Sequence, residues 1–404
     1  MRGMKVLLCL LSEQHVPNLL SVHHFQPDRL VLIESDWMRE RYQAADRFLA
    51  ALQAGGRPME RDVSAFVEPL AHQDSLRDVQ AAVKAAFGRF PTEEWTVNVT
   101  GGTKPMSIAT HEFFRTLGAT LIYVDNSRPD VMNWMDGTRQ ETCAYRPTIK
   151  EWLLGYGFQI RKSDADIAAA EERARAWWEC ARTIALHASP RELIAWATGD
   201  DGDKERGRAR DKGMDMSPDR MGELLKIPAI MASVAQLFGL QATDAGLVGR
   251  LDKYAARFLS GEWLEAFLWG LLDRHQAELG LWDVRLGIEV IGREGEPNEF
   301  DVTFMRRHNL NMLECKSGAQ THDPRTEILY KVEAVMQQFK AIRVSKYLAT
   351  TSADVFGKDS GELKPALKRR ADFYQCSLLT FPKIQRLAKE ADSPATVREI
   401  LEFK

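Results

Sequence analysis

Five short runs rich in Val, Ile and Leu punctuate the first third of the chain, at residues 5–11, 29–34, 62–67, 95–100 and 120–124. Helical spacing fills the stretches between them, at 38–53, 75–90 and 106–117. This alternation admits few folds. Parallel strands need crossovers of a dozen or so residues, and helices supply them while covering both faces of the sheet. The spacing therefore predicts a doubly wound α/β domain. A hairpin is expected next, with strands 131–135 and 141–145 flanking Asp136-Gly137, and the domain closes near Arg146-Pro147.

A chain of 404 residues leaves room for more than this domain. Residues 147–245 read as a mostly helical connector, with helices at 167–186 and 190–197, a polar loop at 199–217 and a helical run from Arg220. The loop interleaves Lys204, Arg206, Arg208, Arg210 and Lys212 with Asp201, Asp203 and Asp211, which reads as a solvated linker rather than a nucleic-acid contact. From 246 to 404 a second α/β pattern runs: helix 260–274, strands 284–291, 299–305 and 310–316, helix 326–341, strand 345–351, helix 362–374 and strand 377–381. The formal charge of −3 carries no basic or acidic tail, so nucleic acid could be held only by a local patch. Five scattered cysteines without a CxxC exclude a disulfide scaffold and a thiolate zinc site, and fit a reducing cytoplasm. The apolar run at 6–11 is too short for a signal sequence or a membrane span.

The densest chemistry lies in residues 298–318, NEFDVTFMRRHNLNMLECKSG. Arg306-Arg307-His308-Asn309 reads as a hairpin turn. If it is symmetric about the Arg307–His308 bond, Asp301 stands opposite Glu314, with side chains about 5 Å apart on one face. Lys316 shares that face, while Cys315 points away. Adjacent carboxylates resist ionisation together unless a cation lies between them, and an all-oxygen donor set suits Mg²⁺ or Mn²⁺. On the preceding helix, Glu265 borders the apolar stripe and can lean over the sheet as a third ligand, whereas Glu262 falls nearly opposite and is expected in solvent. On the following helix Lys331 flanks the stripe and is a further catalytic candidate.

Helix Glu, strand Asp and then Glu314-Cys315-Lys316 resemble the PD-(D/E)xK nucleases, with Phe300 where that motif has proline. The resemblance covers about the last 150 residues. It implies metal-dependent phosphodiester cleavage, with Asp301, Glu314 and Glu265 on the metal and Lys316 beside the attacking water.

In a doubly wound sheet, ligands bind beyond the strand ends where the strand order reverses, here after strands one and four. After the first comes Leu11-Ser12-Glu13-Gln14-His15-Val16-Pro17-Asn18, and after the fourth Thr100-Gly101-Gly102-Thr103-Lys104-Pro105-Met106-Ser107. Paired glycines, hydroxyls, a lysine and a helix start suit an anionic group. Neither the GxxxxGK[ST] nor the GxGxxG spacing is present, so ATP hydrolysis and NAD chemistry are not expected.

These loops, together with Tyr123-Val124-Asp125-Asn126, resemble the Rossmann-like CARF domain of type III CRISPR ancillary proteins. With the ExK module behind it, the whole resembles cyclic-oligoadenylate-activated CARF nucleases. The resemblance implies a homodimer enclosing cyclic tetra-adenylate on its two-fold axis, with cleavage of DNA, single-stranded RNA or both in antiviral defence. Ser12, Gln14 and Asn18 would then meet adenines or riboses, and Gly101, Gly102, Thr103, Lys104 and Ser107 the phosphates. Thr100, Met106 and Asn126 complete the expected ligand set. Two other functions fit the same residues: an ungated repair or restriction endonuclease, and a CARF transcriptional regulator whose nuclease-like domain only binds nucleic acid.

Overall fold

The computed structural model describes residues 3–125, 128, 130–190, 192, 193, 195, 202–292, 295, 297–317, 344–356 and 363–403, excepting the side chains of 202–206 and 354. The chain forms two compact units. The first comprises Met1–Arg161 with Val290–Pro297 and Met305–Leu310, and the second Lys162–Glu289 with Asn298–Phe304 and Asn311–Lys404.

The first unit is built on β1 (Lys5–Leu10), β2 (Arg29–Ser35), β3 (Ala65–Leu70), β4 (Glu94–Asn98), β5 (Thr120–Val124), β6 (Val131–Trp134) and β7 (Gln140–Thr142). They form one sheet in the order β3-β2-β1-β4-β5-β6-β7, parallel through β5 and antiparallel beyond it. The helices are α1 (Val16–Phe25), α2 (Asp36–Tyr42), α3 (Ala44–Ala54), α4 (Leu76–Gly88), α5 (Lys104–Thr116) and α6 (Ile149–Gly155). Alternation along β1 explains why both faces are covered. Val6, Leu8 and Leu10 enter a core with Val79, Val83 and Phe114, while Leu7, Cys9 and Leu11 enter another with Leu19, Phe48 and Leu52. Each such side chain contributes about 1.5–3 kcal/mol on burial.

The expected helix at 38–53 is two helices. Gln43 sits between them in the left-handed region, and the Glu34 carboxylate accepts from the Ala45 amide at 2.8 Å, satisfying a donor that the break exposes. A short strand, β8 (Gln159–Ile160), pairs antiparallel with Val290–Ile291 within this unit. His308 also lies in it, buried, with Nε2 3.0 Å from the Tyr145 carbonyl.

The second unit opens with α7 (Asp164–His187), α8 (Gly202–Lys212), β9 (Met214–Met216), α9 (Pro228–Phe238), β10 (Gln241–Thr243) and β11 (Gly246–Leu251). The segment expected as a polar loop at 199–217 thus carries a helix and a strand, and β10-β11-β9 form a small sheet inside the helical region. Buried Ala209 anchors α8, an apolar contact that the flanking charges obscure in the sequence. Of the helix expected at 190–197, residues 190, 192, 193 and 195 are described and are not helical; the others lie outside the described residues.

Next come α10 (Lys253–Arg257), a π-helical turn (Phe258–Glu262), α11 (Trp263–Arg274), α12 (Gln276–Leu279) and the strands β12 (Leu281–Ile291), β13 (Pro297–Arg306) and β14 (Asn309–Lys316). The chain ends with β15 (Ser345–Thr350), α13 (Pro365–Phe373), β16 (Cys376–Thr380), α14 (Phe381–Lys389) and α15 (Pro394–Ile400). Strands β14, β15 and β16 run parallel, in the sheet order β16-β15-β14-β13-β12. Trp178 on α7 is buried within this unit and donates to the Phe267 carbonyl of α11 at 3.1 Å, so it packs its core. No described helix is long and apolar enough to cross a membrane.

Candidate functional site

Arg307 and His308 both have positive φ, 48° and 60°, as a two-residue type I′ hairpin requires. Counting outward from this turn sets Arg306 opposite Asn309, Phe304 opposite Asn311 and Asp301 opposite Glu314. Two hydrogen bonds agree with the count: Asn311 Nδ2 donates to the Phe304 carbonyl at 3.4 Å, and the Cys315 amide donates to Asp301 Oδ2 at 2.6 Å. Val302, Phe304, Leu313 and Cys315 enter the core on one face. Asp301, Glu314 and Lys316 occupy the other.

Lys316 Nζ lies 2.6 Å from Glu314 Oε1. Burial works against its charge, but Glu314 and then Asp301 outweigh that penalty and hold the ammonium above the ordinary lysine value. Glu265 stands in the first turn of α11. Burial is the main cause that raises its pKa well above the usual carboxylate range, and Asp301, Glu262 and Glu299 push it further up, with Lys316 opposing. The helix acid and the hairpin acid therefore share one electrostatic neighbourhood. As they stand, no three acidic, histidine or cysteine groups among the described residues lie close enough to enclose an ion. The donor set, oxygen-only and mutually repelling, nevertheless fits a hard divalent cation.

Glu262 is not the solvent-facing residue that the helical wheel predicts. It ends the π-turn, where Gly261 takes φ 146°, so the wheel's constant pitch breaks just before α11 begins. Partly buried, its carboxyl is raised by burial and by Glu299 and lowered by Arg210 and Arg257. Glu299 was also missed. It lies two residues before Asp301 on the same strand face, a signal that strand alternation does carry. Lys331 and the helix expected at 326–341 lie outside the described residues.

The second candidate site is in the first unit. Strand order reverses between β1 and β4, so the crevice lies beyond their carboxyl ends, flanked by the two loops singled out in the sequence. A Cβ on Gly101 would collide with the Leu10 carbonyl, and Gly102 takes φ 75°, so both positions favour glycine. Thr103 caps α5, accepting from the Met106 amide at 3.4 Å, and its hydroxyl donates to the Gln73 carbonyl at 2.9 Å. Ser107 donates to the Gly101 carbonyl at 3.1 Å. Met106 is fully buried beneath Gly102.

Asn18, expected to meet the ligand, is instead buried in the scaffold. Its Nδ2 donates to the Leu10 carbonyl at 2.9 Å and its Oδ1 accepts from Asn98 at 2.9 Å. Thr100 joins the same network, with its hydroxyl accepting from the Val124 amide at 2.7 Å and donating to Asn98 Oδ1. Ser12 turns back to the Gln14 carbonyl at 3.1 Å, and Gln14 and Lys104 are exposed. The amides of Gly101 and Gly102 find no acceptor among the described residues. Asn126 lies outside the described residues.

His15 was not anticipated. It is buried edge-on to Tyr156, neither ring nitrogen has a hydrogen-bond partner among the described residues, and burial lowers its pKa to about 3. His23 and His24 each lie beside an acid, Glu151 at 3.7 Å and Glu141 at 3.0 Å.

Residues 6–152 match the family model of the Card1 CARF domain, and residues 252–364 that of the Card1-like endonuclease domain. The chain pairs a CARF domain with a Card1-like endonuclease domain. The second match spans Glu262, Glu265, Glu299, Asp301, Glu314 and Lys316. Among solved structures, Can2 from Sulfobacillus thermosulfidooxidans, in complex with cyclic tetra-adenylate, is 20% identical with a TM-score of 0.67, over 98% of this chain and 99% of that one. Protein VC1899 from Vibrio cholerae is 15% identical with a TM-score of 0.73, over 99% of this chain and 98% of that one. At these identities the likeness is one of fold, extending over nearly the whole CARF–nuclease chain. No curated protein sequence matches.

Proposed function

We propose that this CARF–endonuclease is a nuclease activated by cyclic tetra-adenylate in type III CRISPR defence, cleaving DNA, single-stranded RNA or both with Mn²⁺ or Mg²⁺. The observation that carries the reading is the carboxylate face of the β13–β14 hairpin, with Glu265 leaning on it from α11. The division of labour follows the chain: a sensor at 1–146, a connector at 147–245 and a nuclease at 246–404. The sensor works as a homodimer, because a two-fold ring at a two-fold axis gives each protomer the same contacts. Open glycine amides and exposed Lys104 suit the ring's phosphates.

At the nuclease site Asp301 and Glu314 would hold the cation, with Glu265 as third ligand. When bound, the ion supplies charge to the scissile phosphodiester and acidifies a water. Lys316, kept cationic by Glu314 and Asp301, orients that water and offsets negative charge as it develops on the phosphorus oxygens. Cys315 takes no part; its thiol faces the core, and burial pushes its pKa up.

The test is cleavage of plasmid, single-stranded DNA and RNA with Mn²⁺, with and without cyclic tetra-adenylate. Cleavage that needs both metal and activator supports the reading. Cleavage indifferent to the activator selects an ungated endonuclease, and binding without cleavage selects a regulator.

A further inference from the structure

Helix α8 carries the segment that the sequence presents as a solvated linker, and its surroundings give it a different use. Three docking contacts fix its carboxyl end. Arg257 Nε donates to the Arg210 carbonyl at 2.9 Å, Arg250 Nη2 donates to the Lys212 carbonyl at 2.9 Å, and Gly213, at φ 75°, lies so close to the Leu251 carbonyl that no side chain fits. Two guanidinium groups thus satisfy carbonyls left open at the helix end. The result is a fixed ridge rather than a loose tether.

The outer side of this ridge is cationic. Arg208, Arg210, Lys212, Arg250 and Lys253 are exposed, and Arg257 is half-exposed. Acids lie among them: Asp252 caps α10, accepting from the Ala255 amide at 2.7 Å, Asp215 pairs with Arg250 at 3.2 Å, Glu262 pairs with Arg210, and Asp211 is exposed, while the side chains of Asp203 and Glu205 lie outside the described ones. Arg208, Lys212, Lys253 and Arg257 have no ion pair among the described residues. The ridge borders the acidic face directly, since Arg210 Nη2 lies 3.4 Å from Glu262 Oε1 and Glu262 acts electrostatically on Glu265. A polyanion whose scissile bond lies on the carboxylate face needs cations where its flanking phosphates emerge.

We propose that the exposed cations of α8 and of the 250–257 segment form a phosphate rail that holds the nucleic-acid backbone as it leaves the cleavage site. This rests on the nuclease reading above for its purpose, though not for its measurement. The rail reads charge and not sequence, so it accepts DNA and RNA backbones alike.

The experiment is binding of fluorescent single-stranded and duplex 40-mers to the full chain in EDTA, where no cleavage occurs, across a salt series. In R208A/K212A/K253A the three altered side chains make no hydrogen bond or ion pair among the described residues, so the fold is expected to survive, which thermal melting checks. The expected result is about tenfold weaker binding at 100 mM salt and a log–log salt slope shallower by roughly two. Binding and slope equal to those of the unaltered chain overturn the proposal, as does a loss that does not depend on salt. R210A separates a rail from mere support of Glu262: a rail residue raises KM and flattens the salt slope, whereas support of Glu262 alone lowers kcat with the slope unchanged and removes Arg210 from the rail. If the unaltered chain fails to cleave but shows this binding pattern, the nuclease reading falls and the rail stands.

Discussion

The two candidate sites handle polar groups in opposite ways. In the sensor, the side chains of Asn18, Asn98, Thr100, Thr103 and Ser107 are tied to one another or to backbone, and among the described residues the Gly101 and Gly102 amides with exposed Gln14 and Lys104 remain open. On the nuclease face, Glu265, Glu262, Glu299 and Asp301 are gathered against mutual repulsion. The first site is organised before any ligand arrives. The second keeps its acids in a repulsion that Lys316 only partly offsets, because buried like charges oppose ionisation. A preformed site suits recognition, and a frustrated one suits tight capture of an ion.

The largest expected effect tests the strained side. Asp301→Ala or Glu314→Ala should lower cleavage by about a thousandfold, since a metal contributes several kcal/mol to such a transition state. Melting temperature should hold, and full activity in either variant would refute the hairpin site. Gly101→Ala should break the organised side by driving a methyl into the Leu10 carbonyl. Activator binding by calorimetry should fall by two orders of magnitude or more, an amount consistent with about 3 kcal/mol of strain. Lys104→Ala, which disturbs charge and not shape, should cost about tenfold in activator affinity and leave metal binding intact.

The smallest effect is on stability and concerns sign. Glu265 has a raised pKa in the fold, so the stability it contributes is present below its ordinary value near 4.5 and is lost as pH rises through the folded one. Glu265→Gln should therefore raise the metal-free melting temperature by a few degrees at pH 8 and have little effect at pH 4. It should also diminish the further rise that Mn²⁺ gives the unaltered chain. The sensor's histidines run the other way. His23 is lowered to about 4, chiefly by burial and then by Arg57, so its unit loses stability as pH falls from about 6.5 through 4.

How much was legible in the sequence depends on which regularity each residue obeys. The facing of Asp301 and Glu314 follows from counting away from a two-residue turn, which strand geometry preserves over any number of pairs. Glu262 was misplaced because a wheel assumes one pitch, and the π-turn at 258–262 interrupts it through a single glycine. Asn18 and Thr100 look like ligand contacts because polar residues after a strand often are. Asn98 binds both: Thr100 is two residues away, but nothing local announces the bond to Asn18, which lies 80 positions off. Helix α8 was hidden for a similar reason, as one buried alanine among charges leaves almost no apolar periodicity.

The type I′ turn at Arg307–His308 has a consequence for how this protein can change over time. Between the turn and Asp301 lie five residues, and that number's parity decides which side of the sheet the acid looks toward. Swapping residues there is a matter of degree, but deleting any one of them would send Asp301 inward among Val302's neighbours while Glu314 stayed outside. The proposed active centre has, in effect, a reading frame. Lineages of this chain can drift freely in spelling along the hairpin arms but should gain or lose letters there only in pairs.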